Sequence, residues 1–330
     1  MAATIHDVAQ RCGVDPAVVQ RVLDARMADI SEETRRKVIE SADALGYSAP
    51  LRAGNIGVLY ADESGRGLTH PFFSLVLNAL RTEAEARGYD ITFIRESTDG
   101  ESGDFLERCR RRNVDGICMV CVDFADPGIK ALAASGFPCL SVDHIFKRVP
   151  AVLSDNETGV RKLVEYAIDK GHRRIAFIHG QNNSVVTRTR ISLFKNTMAY
   201  YNLPLPPDYV REGRYHDIAL TKNIVGELLR LPERPTCILL PDDLTYLGAQ
   251  EATRELGLRI PEDISFAGYD GIPLTQTLTP RLTTIRQSCD NLGKEAAQRL
   301  IDLIENPETA SRKPFVFPVE LVEGATIASV

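Results

Sequence analysis

The sequence predicts a small all-α unit followed by a larger α/β core built on parallel sheets. Over residues 1–47, apolar side chains recur at i, i+3, i+4 in three short segments separated by glycine and capping residues. From residue 56 onward, short apolar runs alternate with amphipathic stretches, the strand–helix alternation that gives parallel sheets with covered faces. Length and composition set the class: 330 residues, 44% apolar and 25% charged, suit a globular protein with more than one core.

In the first segment, Thr4 precedes Ile5, Val8 and Ala9, and Gly13 supplies the left-handed residue that ends a helix. Asp15 then stands as N-cap, with Pro16 at the first helical position where its missing N–H costs nothing. Val19, Val22 and Leu23 form the inner face of this second helix; Pro16, Ala17, Gln20 and Arg21 are left outside. Ser31 opens a third helix, with Thr34 in its first turn, and Val38, Ile39, Ala42 and Leu45 supply its apolar stripe before Gly46-Tyr47. Two short helices across a glycine turn, the second with Gln and Arg outward, fit a helix-turn-helix that enters a DNA groove. Arg21 can then donate bidentately to guanine, Gln20 can pair with adenine, and Ala17 can touch a thymine methyl. Thr4, Ser31 and Thr34 lie at helix starts, where they would meet phosphates. An ordinary helical subdomain with a polar outer face is the competing reading of the spacing.

In the core, strands are expected at Ile56–Tyr60, Ile91–Arg95, Gly116–Val122, Cys139–Val142, Arg174–Ile178, Cys237–Leu240 and Ser265–Ala267. Helices between them include Phe73–Arg87, Gly128–Ala134, Thr158–Lys170, Ile218–Arg230 and Tyr246–Leu256. The basic run Arg108 to Arg112 is read as a solvated helix end that complements the helix dipole. Cys118 and Cys121 spell C-x-x-C inside the apolar run GICMVCV, where a buried strand predicts a core role. The seven cysteines are scattered, with no disulfide or zinc framework. A net charge of −6 argues against indiscriminate polyanion binding. No apolar run is long enough to span a membrane and no secretory leader is evident, so a cytoplasmic location is expected.

Three stretches carry a resemblance: TIHDVAQRCGV with RVLD and ISEETRRKVIESADALGY; GHRRIAFIHG; and PDDLTYLGAQEATRELGLRIPEDISFAGYDG with LTTIRQSCDNLGKEAAQRLID. They run in the order found in the lactose-repressor (LacI/GalR) family of bacterial transcription regulators, and the chain is similar to that family over nearly its whole length. The resemblance implies a helix-turn-helix headpiece at 1–47, a short linker at 48–55 and an effector-binding core at 56–330, shaped like a periplasmic binding protein. Its two lobes would face each other across a cleft, lobe one about 56–151 and 283–309, lobe two about 152–282 and 310–330. It further implies a homodimer on near-palindromic operator DNA, with no cofactor.

The DNA end departs from the family. Where the family usually carries Ser-x-x-Thr-Val-Ser-Arg-Val, this chain reads Asp15-Pro16-Ala17-Val18-Val19-Gln20-Arg21-Val22, with two hydroxyls replaced by Val18 and Gln20. Residues 1–50 hold six Arg and Lys against eight Asp and Glu, a net of −2, where phosphate binding favours a basic surface. The family's Pro-Asn pair and hinge helix with a leucine wedge are replaced by Ser48 to Asn55, with Leu51 as the wedge position.

Ligands of open parallel sheets bind beyond the carboxyl ends of the strands. The first strand leads there to His70, Phe72 and Phe73, the fourth to Asp143, and later ones to Asp242-Asp243 and Asp270; the loop after the Arg174–Ile178 strand leads to Arg188 and Arg190. Carboxylates and a guanidinium beside aromatic faces suit a polyhydroxylated ligand, most simply a sugar or sugar derivative. Arg190 and Asp270 fall on the family's effector-contacting arginine and on the aspartate of its Gly-(Tyr/Phe)-Asp motif, and Tyr215 on a frequent aromatic cleft position. Asp242 replaces a common asparagine, exchanging a donor for an acceptor. Asp143 also has a turn reading, one of Phe72 and Phe73 is expected in the core, and Asp243 is expected to cap the helix at Leu244. The resulting function is a repressor-like regulator controlled by a small polar effector. The alternative is an intracellular ligand sensor with weak or lost DNA binding. No G-x-S-x-G, P-loop or H-E-x-x-H pattern supports an enzyme.

Overall fold

The computed structural model describes residues 4–23, 30–47, 53–61, 67–94 and 105–330. They fall into two compact units, divided between Asn55 and Ile56. Leu51 and most of the expected linker lie outside the described residues.

The first unit contains α1 (Ile5–Cys12), α2 (Pro16–Leu23) and α3 (Glu32–Ala44). Thr4 caps α1 through a reciprocal capping box with Asp7, and Gly13 ends it at φ +69°. The Asp15 carboxylate accepts from the Ala17 N–H at 2.8 Å and so starts α2. Val8, Val19 and Val38 are fully buried at the centre, with Val22 and Ala42 beside them. Ile39 departs from the expected stripe: it is 45% exposed, and Ser41 takes the buried position beside Ala42. A 3.6-residue period carries residues 38, 41–42 and 45 to one face and turns 39 away from it.

The second unit runs β1 (Asn55–Tyr60), α4 (Phe73–Ala86), β2 (Asp90–Ile94), α5 (Phe105–Arg111), β3 (Gly116–Val120), α6 (Pro127–Ala134), β4 (Cys139–Val142) and β5 (Ala151–Ser154). It continues with α7 (Asn156–Asp169), β6 (Ile175–His179), α8 (Val185–Tyr200), β7 (Val210–Glu212), α9 (Ile218–Leu229), β8 (Cys237–Leu239) and α10 (Tyr246–Glu255). It closes with β9 (Ser265–Asp270), α11 (Pro273–Gln276), β10 (Thr283–Arg286), α12 (Cys289–Glu305), β11 (Phe315–Phe317) and β12 (Glu320–Val322).

These strands form two six-stranded sheets, ordered β11-β5-β4-β3-β1-β2 and β12-β10-β9-β8-β6-β7. Every described pairing is parallel except β10 with β12. Each sheet is the centre of one lobe. The chain passes between lobes at Asp155, at Gln287-Ser288 and at Pro318-Val319, close beyond the expected 152 and 283 but well beyond the expected 310. The difference has a plain cause: β5, β10 and β11 each finish in the sheet of the lobe they are leaving. Because β11 and β5 adjoin at one edge and β12 and β10 at the other sheet's edge, all three crossings gather on one side of the core.

The long helix α12 packs on α4 through Leu292, Ala296 and Leu300 against Val76, Leu77 and Leu80. Gly293 makes this approach possible, since a Cβ there would lie 2.2 Å from the Val76 carbonyl oxygen. Cys118 is fully buried, and burial pushes its thiol up to about 12. Cys121 lies past the strand end at φ +54°, so the C-x-x-C pair has no common face. Among the described residues no three His, Cys, Asp or Glu side chains are grouped to hold a metal ion, and no helix is long and apolar enough to cross a membrane.

Candidate functional site

Two surfaces carry the chemistry that the sequence singles out. In the headpiece, α2 buries Val19 and Val22 and leaves Ala17 and Arg21 exposed, with Pro16 and Gln20 half-buried on the same outer side. Thr4 is committed locally: its hydroxyl donates to Asp7 Oδ2 at 2.6 Å, and its N–H donates to the same oxygen at 2.7 Å. A carboxylate therefore occupies the start of α1, where the sequence pointed to a phosphate contact. Ser31 and Thr34 share one hydroxyl–hydroxyl bond of 2.8 Å, and Ser31 Oγ also accepts the Thr34 N–H. Two hydroxyls with one mutual bond leave one proton to donate outward. The cations of α3 are offset by its own acids, Lys37 with Glu33 at 2.7 Å and Arg36 with Glu40 at 3.8 Å.

In the core, Arg190 is the centre of a polar cluster between the lobes. It lies in the second turn of α8, which Ser184 caps through the Thr187 N–H. Only 6% of it is exposed. Its Nε donates to Asn156 Oδ1 at 2.8 Å, and its guanidinium lies 3.6 Å from the centre of the Tyr269 ring. This cation–π seat fixes the plane of the side chain. No described carboxylate comes within ion-pair distance, and only Nε of the guanidinium is hydrogen-bonded to a described residue. Burial pulls the Arg190 pKa down, but Tyr269, Tyr215, Asp270 and Asp143 together hold it above its ordinary value.

Asp143 approaches from lobe one, at the carboxyl end of β4, and Asp270 from lobe two, at the end of β9. Asp143 has φ +58°, the left-handed backbone of a turn residue, at the end of the strand. Its Oδ1 is buried and accepts no hydrogen bond from a described residue. Asp270, at φ +113°, accepts from Gln287 Nε2 at 2.7 Å through one oxygen. Burial raises both carboxyls, Asp270 well above the usual range, with Arg190 opposing. Tyr215 hydrogen bonds Thr187 at 2.9 Å through its hydroxyl, and its ring lies on Gly180, where a Cβ would meet it at 2.1 Å.

Of the neighbouring aspartates, Asp242 takes the turn-starting role expected of Asp243, and Asp243 serves neither that role nor the cleft. Asp242, 1% exposed, accepts the His216 N–H at 2.8 Å and the Thr245 N–H at 3.0 Å. Its carboxylate is spent on backbone, so it positions the His216 loop and starts the turn into α10 instead of reaching the cleft. Asp243 does not cap that helix. It accepts from the Ile272 N–H and from Thr275 and Thr284, tying β8 to β10 and α11. Phe72, 4% exposed, is core; Phe73 packs edge-on against it and faces His70 at 4.7 Å. His70, whose Nδ1 accepts the N–H groups of Phe72 and Phe73, meets His216 of the other lobe with ring centres 4.1 Å apart.

Burial pushes the Asp243 carboxyl up to about 7, against the hydroxyl and N–H donors that favour its charge. A carboxyl with a raised folded-state pKa keeps a proton that the unfolded chain has lost, so its share of stability falls as pH rises from about 4 to 7. Asp243→Asn removes this titration. The melting temperature of the wild type relative to this variant is expected to fall across that window, measured by calorimetry at several pH values. A constant difference would show that Asp243 is ionised throughout.

Asn156, Tyr269, Thr187 and Gln287 complete the cluster and were not singled out from sequence. Asn156 follows the helix-capping Asp155, and Gln287 follows the end of β10, positions that read as structural. Tyr269 was visible only as the middle of the Gly-Tyr-Asp motif.

The profile of the family described as "Periplasmic binding protein-like domain" matches residues 164–327. The "HTH-type transcriptional repressor PurR" of Vibrio vulnificus (strain CMCP6) is 30% identical over 343 residues, covering 99% of each chain. The "Probable HTH-type transcriptional repressor ExuR" of Bacillus subtilis (strain 168) is 28% identical over 320 residues, 94% of each. The lac repressor dimer bound to operator and the anti-inducer ONPF superposes with a TM-score of 0.72 at 26% identity, over 99% of this chain and 100% of that one. A LacI family transcriptional regulator from Enterococcus faecium with bound ribose gives 0.72 at 26%, over 84% and 99%.

Proposed function

The chain belongs to the lactose-repressor (LacI/GalR) family of bacterial transcription regulators, and from that premise we propose a homodimeric, cytoplasmic repressor switched by a small polar effector. The effector is a sugar or sugar derivative held between the two core lobes. One observation carries the reading: Arg190 presents an open donor fork between Asp143 of one lobe and Asp270 of the other. A ligand that accepts from the guanidinium and donates to both carboxyls makes bonds to the two lobes at once, so it favours one lobe arrangement by its differential contacts. Vicinal hydroxyls have this double capacity, and Tyr215 and Phe73 supply rings for their apolar edges. The reading assigns no catalytic step to these carboxyls.

On the DNA side, the proposal places Ala17, Gln20 and Arg21 of α2 against base edges, with Pro16 at the helix start. Ser31 and Thr34 would meet phosphates, and Leu51 a minor-groove step. Thr4 contributes by capping α1. The acidic headpiece favours a modest, strongly salt-dependent grip.

Arg21→Ala is expected to weaken binding of an inverted-repeat operator, selected from random duplexes by the wild type, by about 10- to 100-fold, the worth of one bidentate guanine contact. Fluorescence anisotropy across a salt series reads it. If the wild type binds no duplex at low salt, with or without effector, the sensor reading without DNA replaces the regulator.

A further inference from the structure

A cavity of about 440 Å³ opens on the second lobe between α8 and the edge strand β7, away from the Arg190 cluster. That volume is within the range of small-molecule sites. One wall comes from two strands. His179 and Glu212 are register partners on β6 and β7, so their side chains leave the same face of the sheet. The facing wall comes from α8, where Ile191 and Lys195 stand one turn apart. Leu205 and Pro206 form an apolar floor.

The polar groups in this cavity have a distinctive state. His179 is 7% exposed, and its Nδ1 lies 2.7 Å from the Gly180 carbonyl oxygen. A carbonyl only accepts, so a proton sits on Nδ1, and in the neutral ring Nε2 is the accepting nitrogen. No described residue donates to that nitrogen. Lys195 and Glu212 line the same space with opposite charges, yet make no ion pair with each other or with any described residue.

We propose that this cavity is a second ligand site, separate from the effector cleft, which takes an amphipathic zwitterion the size of an amino acid. Its carboxylate would pair with Lys195, its ammonium would donate to Glu212 and His179 Nε2, and its hydrocarbon would lie on Leu205 and Pro206. A simple anion would face Glu212, and a simple cation would face Lys195. A purely apolar occupant would desolvate His179, Lys195, Glu212 and Asn182, which also lines the space, without return. Because Ile191 and Lys195 share α8 with Arg190, an occupant presses on the helix that carries the effector arginine.

Isothermal titration of the full chain with L-leucine and L-phenylalanine tests the proposal. Their single-charge analogues, 4-methylpentanoate and 3-methylbutylamine, and 3-phenylpropanoate and phenethylamine, serve as controls. At least one amino acid is expected to bind at millimolar concentration or better, each analogue of it about fivefold or more weaker. Lys195→Met and Glu212→Gln should each weaken it about fivefold, as for a partly exposed ion pair, while Arg190→Ala leaves it unchanged. No binding of either amino acid, equal binding by both surface variants, or a loss in Arg190→Ala alone would overturn the site.

Discussion

In an Arg190→Ala variant, a sugar that raises the melting temperature of the wild type is expected to raise it no longer. The guanidinium is buried, seated on Tyr269 and held through Asn156, so its geometry is set before the ligand arrives. Preorganised donors lose little entropy on binding, which makes their removal expensive. Truncating one partner of a buried, hydrogen-bonded charged contact costs about 2–5 kcal/mol, or about 30-fold or more in affinity. Titration calorimetry reads the affinity, and circular dichroism confirms that the variant is folded. Affinity within a factor of about three of the wild type would remove Arg190 from the effector site.

Asp243→Ala should show the largest loss of stability, about 3 kcal/mol or more at neutral pH. Three donors converge on this carboxylate: the Ile272 N–H and the Thr275 and Thr284 hydroxyls. The hydroxyls can turn to nearby carbonyls, Thr275 toward Ile272 at 3.1 Å and Thr284 toward Ile285 at 3.4 Å. The N–H cannot turn, and it is left buried without a partner. Denaturant unfolding measures the change. A loss below about 1 kcal/mol, the worth of one ordinary hydrogen bond, would show that water replaces the carboxylate and that the junction of β8, β10 and α11 is looser than its burial indicates.

Periodicity and capping chemistry revealed the headpiece almost to the residue, because each helix boundary rests on local signals: Thr4, Gly13, Asp15 and Ser31. β1, β3, β4, β6, β8 and β9 were readable as apolar runs bounded by turns, whereas the four-residue β5 and β10, also inside the sheets, were not. The short edge strands were not readable either. β7, β11 and β12 have three residues each and, unlike the equally short but fully buried β8, lie at sheet edges with no continuous apolar run, so their identity comes from partners distant in sequence. α8 was overlooked for a different reason: buried polar Thr187 and Arg190 interrupt its apolar stripe.

Among candidate site residues, strand ends led to Asp143, Asp270 and the pair Arg188 and Arg190, and the family resemblance singled out Arg190 and Asp270. Chain position could not tell Asp242 from Asp243, since adjacent carboxylates leave a strand end in directions that only the finished turn decides. The family resemblance singled out Tyr215; the phosphate reading of Thr4 came from its place at a helix start, where a local hydrogen bond to Asp7 engages the same hydroxyl.

The gathering of all three lobe crossings at one edge has a mechanical consequence. The core is built like a door on a three-leaf hinge, with β5, β10 and β11 as leaves and joints only one or two residues long. Joints that short permit rotation and little sliding, so the lobes open as a wedge. The displacement is greatest at the far edges, where β1 and β2 face β6 and β7. The His70–His216 contact lies on that side, and a force applied there acts with the longest lever arm. A weak contact between two rings at the rim therefore weighs as much in setting the resting angle as a much stronger one beside the hinge.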